Sequence, residues 1–206
     1  MTTRRPSRSG RPKREESDVD ERLLDAALDL FLKQGFGGTS CEAVARQAGA
    51  GKASLYARYP SKDHLFEAVI RRSTGTLPRM KSVDPGLPLE VRMREAGRDM
   101  LEHASRPETL SMMRLVIATA GRFPTLAAEA RRIGWEAGRL RVRQAIEAGK
   151  DRPDAIENLT EAFIDLVFAP HQLRALLGDD PESLLAEATA RIDRAISMLR
   201  SSGQLK

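Results

Sequence analysis

Residues 23–70 read LLDAALDLFLKQGFGGTSCEAVARQAGAGKASLYARYPSKDHLFEAVI. The turn Gly49-Ala50-Gly51 separates two segments that are too short to bury a core alone, and a longer apolar segment precedes them. This order predicts a helix-turn-helix. Such an arrangement holds its last helix on the surface, where the helix has the diameter that fits the major groove of DNA.

Capping signals set the expected bounds of the first two helices. Apolar residues at three- and four-residue spacing predict a first helix, capped by Ser17 or Asp18 and ended by Gly35. Thr39 and Glu42 have the spacing of a capping box, which predicts that Thr39 opens the second helix.

The resemblance to a known family is carried by short motifs, namely Gly35-Phe36, Thr39-Ser40, Ala48-Gly49, Lys52-Ala53-Ser54-Leu55-Tyr56 and Ser61-Lys62. Together they resemble the DNA-binding domain of the TetR family of bacterial transcriptional regulators. Three positions depart from the pattern: Gly51 replaces a frequent serine cap, and Ala57 and Arg58 replace a frequent aromatic residue and a frequent histidine. The base preference of other members therefore does not transfer to this chain.

The third helix, expected from about Lys52 to Tyr59, carries the predicted DNA contacts. Leu55 is expected to face inward, which leaves Lys52, Ala53, Tyr56 and Ala57 on the outer face. Lys52 is the candidate for direct readout because a lysine at a helix N-terminus can reach guanine O6 and N7. Phosphate contacts are predicted for Ser54, Tyr56, Arg58, Lys62 and for Thr39 or Ser40. Tyr59 is expected to pack.

A basic arm precedes the first helix. Positions 1–14 hold six basic residues and no acidic ones, whereas the other 28 basic and 29 acidic residues nearly cancel. The segment from Arg8 through Arg11 to Arg14 partly resembles an AT-hook, which places arginines in the minor groove of A·T-rich DNA. The alternative is a disordered, solubilising tail that binds DNA by charge alone.

The remainder of the chain predicts a second helical domain. Helices are expected at 89–104, 108–120, 124–148, 154–177 and 182–201, and no strand pattern appears. The expected organisation is an all-α chain with a disordered arm (1–17), a DNA-binding domain (18–72), a connection (73–88) and a regulatory and dimerisation domain (89–206). The motifs Arg114-Leu115-Val116-Ile117 and Phe123-Pro124 resemble the AefR-like C-terminal domain of one TetR branch.

A methionine-rich patch in this second domain predicts a pocket for a small-molecule effector, because methionine adapts to ligands of variable shape. The alternative is that these methionines fill the core. The candidate pocket residues are Met93, Met100, Met112, Met113, Val116, Trp135 and Phe163.

The last two predicted helices carry broad apolar stripes, which predict a four-helix bundle with a second copy of the chain. A homodimer also suits recognition, because one short helix reads too few base pairs to be selective. The candidate interface residues are Leu159, Phe163, Leu166, Leu173, Leu184, Ala188, Ile192 and Leu199.

Catalytic and metal sites are not predicted. The single cysteine, Cys41, allows neither an internal disulfide nor a cysteine zinc site, and it is expected to be a small buried residue. The chain has no recognisable nucleophile motif, cofactor motif, transmembrane run or signal peptide. We therefore expect a soluble cytoplasmic protein that is not an enzyme and needs no cofactor.

The resemblance implies a homodimeric, ligand-responsive regulator, expected to be a repressor that occupies a palindromic operator in double-stranded DNA. In the family mechanism, an unidentified small-molecule effector biases the packing of the helix after the recognition helix and moves the latter off its groove. Two alternatives stay open. One is an architectural minor-groove protein that uses mainly the arm, and the other is a ligand-binding module with a vestigial DNA head.

Overall fold

The computed structural model describes residues 13–75, 84–147 and 153–205, and within these ranges the chain is all-α as predicted. It divides into two compact units, Met1–Arg72 and Ser73–Lys206. The helices are α1 Lys13–Gly38, α2 Cys41–Gln47, α3 Lys52–Arg58, α4 Lys62–Gly75, α5 Leu89–Ala104, α6 Pro107–Thr119, α7 Pro124–Glu147, α8 Pro153–Leu177, α9 Pro181–Ala186 and α10 Ala188–Ser201.

The first unit packs around an aromatic cluster of Phe31, Phe36 and Phe66. The ring of Phe66 meets the other two edge to face, with both centroid distances at 5.1 Å. Leu23 and Leu55 are fully buried in the same unit. Each such apolar side chain contributes about 1.5–3 kcal/mol when buried, so this small core is enough to hold the short helices α2 and α3 in place.

Helix α1 begins earlier than the sequence predicted. It starts at Lys13 rather than after Ser17, so the prediction of a disordered arm over 1–17 is wrong for residues 13–17. Residues 13–16 read KREE, and lysine, arginine and glutamate all favour helix, which lets α1 extend upstream. The predicted end is confirmed: Gly35 has φ +70°, a left-handed conformation that breaks the regular helix there.

The predicted capping box at the start of α2 is wrong. Ser40, and not Thr39, is the N-cap, and its Oγ accepts a hydrogen bond of 3.1 Å from the backbone N–H of Ala43. Thr39 instead donates its hydroxyl to the carbonyl oxygen of Gly35 at 2.9 Å. It thereby satisfies one of the carbonyl groups left unpaired where α1 breaks.

The second unit has one large apolar core formed by α5, α7, α8 and α10. Gly97 allows α5 to approach its neighbours closely, since a Cβ there would lie 3.0 Å from Phe163 Cζ and 3.2 Å from Ile192 Cδ1. A largely buried ion pair joins two of these helices: Arg141 Nε lies 3.1 Å from Asp99 Oδ2, linking α7 to α5.

Four of the five helices predicted in the second unit agree with the structure within one residue at each end. The fifth, expected at 182–201, is wrong, because the chain forms α9 and α10 separated at Glu187. The Glu187 N–H bonds to the carbonyl groups of both Ser183 and Leu185, which closes α9. Neither glycine nor proline marks this break, so the sequence pattern contained no signal for it.

A buried polar pair lies inside the second unit. The Nε2 of His171 is 2.7 Å from the hydroxyl of Ser105, and His171 is fully buried. Burial, followed by the positive charges of Arg191 and Arg174, lowers the pKa of His171 to about 4. This imidazole is therefore neutral at pH 7.

Two further features are absent from the described ranges. None of the helices there is long and apolar enough to cross a membrane. Among the same residues, no group of three or more histidine, cysteine, aspartate or glutamate side chains is placed to hold a metal ion.

Candidate nucleic-acid interface

The turn between α2 and α3 has the geometry of a helix-turn-helix. Gly49 adopts φ +60°, and the N–H of Ala50 bonds to the carbonyl oxygen of Ala45 at 2.9 Å. A glycine tolerates this left-handed conformation, so the chain reverses within a few residues of the end of α2. The reversal places α3 directly after α2. Gly51 is the N-cap of α3, and no side chain caps that helix.

The outer face of α3 is the one predicted from sequence. Leu55 is fully buried beneath the helix, whereas Lys52, Ala53, Tyr56 and Ala57 are exposed. Buried Leu55 fixes the rotation of α3 about its axis, because residues three and four positions apart share a face. The four exposed residues therefore form one continuous surface, which we call the α3 face.

Glu42 on α2 joins this surface. Its Oε1 accepts a hydrogen bond of 3.3 Å from the Tyr56 hydroxyl and lies 3.7 Å from the Lys52 ammonium nitrogen. The pKa of Glu42 is below its usual value, chiefly because its own backbone N–H bonds to the carboxylate, with a smaller effect of Lys52. A carboxylate thus sits beside both candidate DNA-contacting side chains. The sequence reasoning missed it, because the spacing from Thr39 gave Glu42 a capping role.

Two residues predicted to contact phosphates are bonded to each other. Arg58 Nη1 donates to the carbonyl oxygen of Ser54 at 3.0 Å and to its hydroxyl at 2.8 Å. Arg58 Nε also lies 3.8 Å from Asp20 Oδ1. Both residues are half-buried at the edge of the α3 face. Arg58 reaches a phosphate only after a local rearrangement, whereas the Ser54 hydroxyl accepts from Arg58 and can still donate its own hydrogen.

Thr39 does not belong to the interface, which corrects its predicted phosphate contact. It is 2% exposed, and its hydroxyl donates to Gly35. Ser40 next to it is exposed and caps α2, so of the two residues Ser40 keeps the predicted role.

Lys62, which is predicted to contact a phosphate, is bonded within its own unit. Its ammonium donates to the carbonyl oxygens of Phe36 at 2.8 Å and Thr39 at 2.9 Å, and it lies 4.4 Å from the centre of the Phe36 ring. A cation placed there neutralises the partial negative charge at the end of α1. Lys62 is thus a structural residue that ties α4 to α1.

Two further predictions for this unit agree with the structure, and a third concerns residues outside the described ranges. Tyr59 packs as expected: it is buried and its hydroxyl donates to Asp20 Oδ1 at 2.7 Å. Cys41 is buried, as expected, and burial raises the pKa of its thiol. Arg8 and Arg11 of the predicted AT-hook lie outside the described residues.

The predicted effector pocket is largely filled. Met93, Met100 and Phe163 are at most 3% exposed and belong to the core of the second unit, which is the alternative given above. Trp135 is half-buried, with its ring edge to face against Phe168 at 6.1 Å. Met112, Met113 and Val116 are half-buried on α6, and Met113 Sδ accepts a hydrogen bond of 3.0 Å from Gln172 Nε2.

An open cleft of about 400 Å³ lies elsewhere in the second unit. Its lining includes none of the predicted pocket residues and consists of Pro88, Leu89, Glu90, Val91, Arg94, Arg200 and Leu205.

Most of the residues predicted for the dimer interface are buried within their own chain. Five of the eight lie on α8 and α10, which pack on α5 and on each other: Leu159, Phe163, Ala188, Ile192 and Leu199. A sixth, Leu184 on α9, is buried in a smaller cluster with Leu110 and Ala175. Leu166 is half-buried and Leu173 is 60% exposed. Further exposed apolar side chains on α8 and α10 are Leu177 at 79% and Met198 at 58%.

Comparison with family models gives two matches. Residues 23–69 match the model for bacterial regulatory proteins of the tetR family. Residues 91–201, more than half of the chain, match the model for the C-terminal domain of AefR-like transcriptional repressors.

Curated relatives match over part of the chain. The HTH-type transcriptional regulator RutR of Escherichia coli K12 is 39% identical over 72 residues, which are 35% of this chain and 34% of RutR. The regulator AcrR of Shigella flexneri is 28% identical over 109 residues, 51% of this chain and 50% of AcrR. The matches thus span between a third and a half of these relatives.

Solved structures match over both units. A TetR transcriptional regulator from Agrobacterium tumefaciens has a TM-score of 0.71 at 23% identity, covering 87% of this chain and 93% of that one. The flavonoid-responsive regulator FrrA has a TM-score of 0.65 at 28% identity, covering 88% of this chain and 97% of FrrA.

Proposed function

We propose that this chain, which belongs to the TetR family of bacterial transcriptional regulators, is a repressor that binds a palindromic operator as a homodimer and leaves it when a small molecule binds. The observation that carries the proposal is the α3 face, where exposed Lys52 and Tyr56 stand over buried Leu55. An exposed helix that a buried residue holds at a fixed rotation is what insertion into the major groove requires.

We assign different tasks to the side chains of this surface. Lys52 stands at the N-terminus of α3 and donates to guanine O6 and N7. Ser40 and Ser54 donate their hydroxyl hydrogens to phosphates on either side, and Arg58 joins them once its hydrogen bonds to Ser54 open, whereas the Tyr56 hydroxyl stays bonded to Glu42. Thr39 and Lys62 serve the fold and are left out of this assignment.

The dimer in this proposal uses the outer surface of α8 and α10. Ala162, Leu166, Ala169, Leu173 and Leu177 recur on α8 at three- and four-residue spacing and form a stripe that becomes more exposed toward Leu177. Met198 on α10 adds a further exposed apolar side chain. A two-fold pair of such surfaces yields a four-helix bundle, which holds two α3 helices for the two halves of one site.

For the effector we propose a small aromatic molecule that enters beside Trp135. The flavonoid response named for FrrA supports this class. In this chain Trp135 and Phe168 present aromatic surface. Gly138 lies next to Met100: a Cβ added to Gly138 would be 3.6 Å from Met100 Sδ. Methionine side chains repack readily, so a minor state in which Met100 moves aside can open space for a ligand.

The proposal is tested by selecting duplexes from a random pool with the full chain and footprinting the selected sequence. We expect an inverted repeat that is protected on both half-sites. Selection of A·T-rich DNA without a repeat would instead favour the architectural alternative that uses the arm. Fluorescence of Trp135, the only tryptophan, then reports binding of a flavonoid probe. The same probe should release the footprint, and no change in either readout would overturn the effector class.

A further inference from the structure

Glu42 is an acid on the surface that is proposed to meet DNA, and its position is fixed by two contacts. The Tyr56 hydroxyl donates to Oε1 at 3.3 Å, and the Lys52 nitrogen lies 3.7 Å from the same oxygen. The side chains of Lys52 and Glu42 are 66% and 46% exposed. Donor and acceptor are therefore side by side, and both remain open to an incoming ligand.

A carboxylate at this place needs a hydrogen-bond donor on the DNA. Phosphates surround the groove and repel it, and they offer no donor. In the major groove the exposed donors are the N4 amino group of cytosine and the N6 amino group of adenine, and glutamate characteristically accepts from cytosine N4.

The spacing of Lys52 and Glu42 fits the polar atoms at the edge of one base pair. A G·C pair presents the O6 and N7 acceptors of guanine beside the N4 donor of cytosine. O6 and N4 are joined by a base-pairing hydrogen bond of about 2.9 Å, so two protein groups that bind them lie about 3–4 Å apart. The 3.7 Å between Lys52 and Glu42 matches that separation. An A·T pair also places an acceptor, thymine O4, beside the N6 donor of adenine, so the spacing alone fits both pairs. The G·C pair is favoured because guanine offers a lysine two adjacent acceptors, O6 and N7, and because glutamate characteristically accepts from cytosine N4.

We propose that Glu42 and Lys52 read a single G·C base pair in each half-site, Lys52 donating to guanine and Glu42 accepting from the cytosine amino group. This inference rests on the proposed operator binding. It makes Glu42 a specificity-determining residue, although a negative charge weakens binding to DNA in general.

The decisive experiment uses the unaltered protein and the duplex it selects from a random pool. At each G·C pair of the selected half-site, cytosine is replaced by N4-methylcytosine, which removes the amino hydrogen that faces the groove. We expect one position at which this change weakens binding by roughly 5- to 100-fold in a fluorescence-anisotropy titration.

The same duplexes are then titrated with Glu42→Ala and with the control Glu21→Ala. Glu21 is an exposed acid of α1, and its removal changes the net charge equally. Glu42→Ala should bind the methylated and unmethylated duplexes within about twofold of each other, and Glu21→Ala should behave like the unaltered protein. The first measurement needs no variant, so the absence of any sensitive cytosine overturns the assignment even if Glu42→Ala folds poorly.

The outcomes separate the two proposals. If the unaltered protein selects a repeat but no cytosine shows a loss that disappears in Glu42→Ala, the base-pair assignment is overturned and operator binding stands. If the protein selects no sequence at all, operator binding is overturned and this assignment falls with it.

Discussion

The ammonium of Lys62 lies 4.4 Å from the centre of the Phe36 ring and donates to the backbone carbonyl oxygen of the same residue at 2.8 Å. The contact joins the start of α4 to the end of α1, next to the helix-turn-helix. It also uses two of the three hydrogens of the ammonium, so we expect substitution of Lys62 to affect stability more than DNA binding.

Replacing Lys62 by methionine should lower the free energy of unfolding by about 1–3 kcal/mol, because a charge-assisted hydrogen bond and a cation–π contact are lost. Urea denaturation measures this change. Lys33→Met is the matched control, since Lys33 is 68% exposed and pairs only at the surface with Asp29. The control should cost at most about 0.5 kcal/mol. Equal losses in both variants would contradict the structural role of Lys62.

Lys52→Ala should reduce discrimination between operator and random DNA by about 1–3 kcal/mol. The reason is its place at the N-terminus of the exposed α3 face, where it can reach base edges. Anisotropy titrations on both duplexes give the specificity ratio. Lys33→Ala removes an equal charge from α1 and should leave that ratio unchanged; an unchanged ratio in Lys52→Ala as well would rule out direct readout.

The arm is tested by salt dependence. Deleting residues 2–12 removes four arginines, Arg4, Arg5, Arg8 and Arg11, and leaves α1 intact. Because each neutralised phosphate contributes about 0.9 to the slope of log K against log salt, the slope should flatten by up to about 3.6. A tail that does not touch DNA leaves the slope as it was, and that result would end the AT-hook interpretation.

Acid should destabilise the protein through His171. Its pKa of about 4 in the folded chain is below the value of about 6.5 in the unfolded chain, so the unfolded state binds more protons between these pH values. The free energy of unfolding therefore falls as pH decreases from about 6.5 to about 4. From pH 7 to pH 5 the loss due to His171 is about 2 kcal/mol. Urea denaturation should show this difference between the original chain and His171→Gln, and parallel pH profiles would contradict it.

The α3 face could be predicted because it follows from local periodicity. Once Leu55 is assigned to the core, the directions of Lys52 and Tyr56 are determined by helical geometry. The cap of α2 could not be predicted in the same way. Thr39 and Ser40 are adjacent and both suit an N-cap, and the choice depends on the carbonyl group of Gly35, which accepts from Thr39 only in the folded chain.

The apolar stripes of α8 and α10 show a different limit of prediction from the sequence. Ile192 and Leu173 are both apolar residues in helices, yet one is 2% exposed and the other 60%. A single sequence indicates that an apolar face is buried but does not indicate whether the same chain or a second copy covers it. The packing of α5 against α8 and α10 decides this, and it takes up most of the residues assigned to the dimer.

Substitutions at Ile192 and Leu173 should therefore have different effects. Ile192→Asp places an unpaired carboxylate in the core of the second unit, which costs several kcal/mol and should prevent cooperative folding. Leu173→Asp leaves the core untouched but puts a charge in the proposed two-fold interface. That variant should fold, become monomeric by light scattering and lose operator affinity by a hundredfold or more, because two linked heads bind far more tightly than one.

Leu140→Asp is the matched control for Leu173→Asp. Leu140 is 53% exposed on α7, so the same chemical change occurs at similar exposure on another helix. It should remain dimeric and bind the operator normally. If Leu140→Asp were monomeric and Leu173→Asp dimeric, the interface would lie on α7 instead of α8. The two variants together locate the dimer surface, because each removes one exposed apolar side chain and neither disturbs the core that Ile192 helps to form.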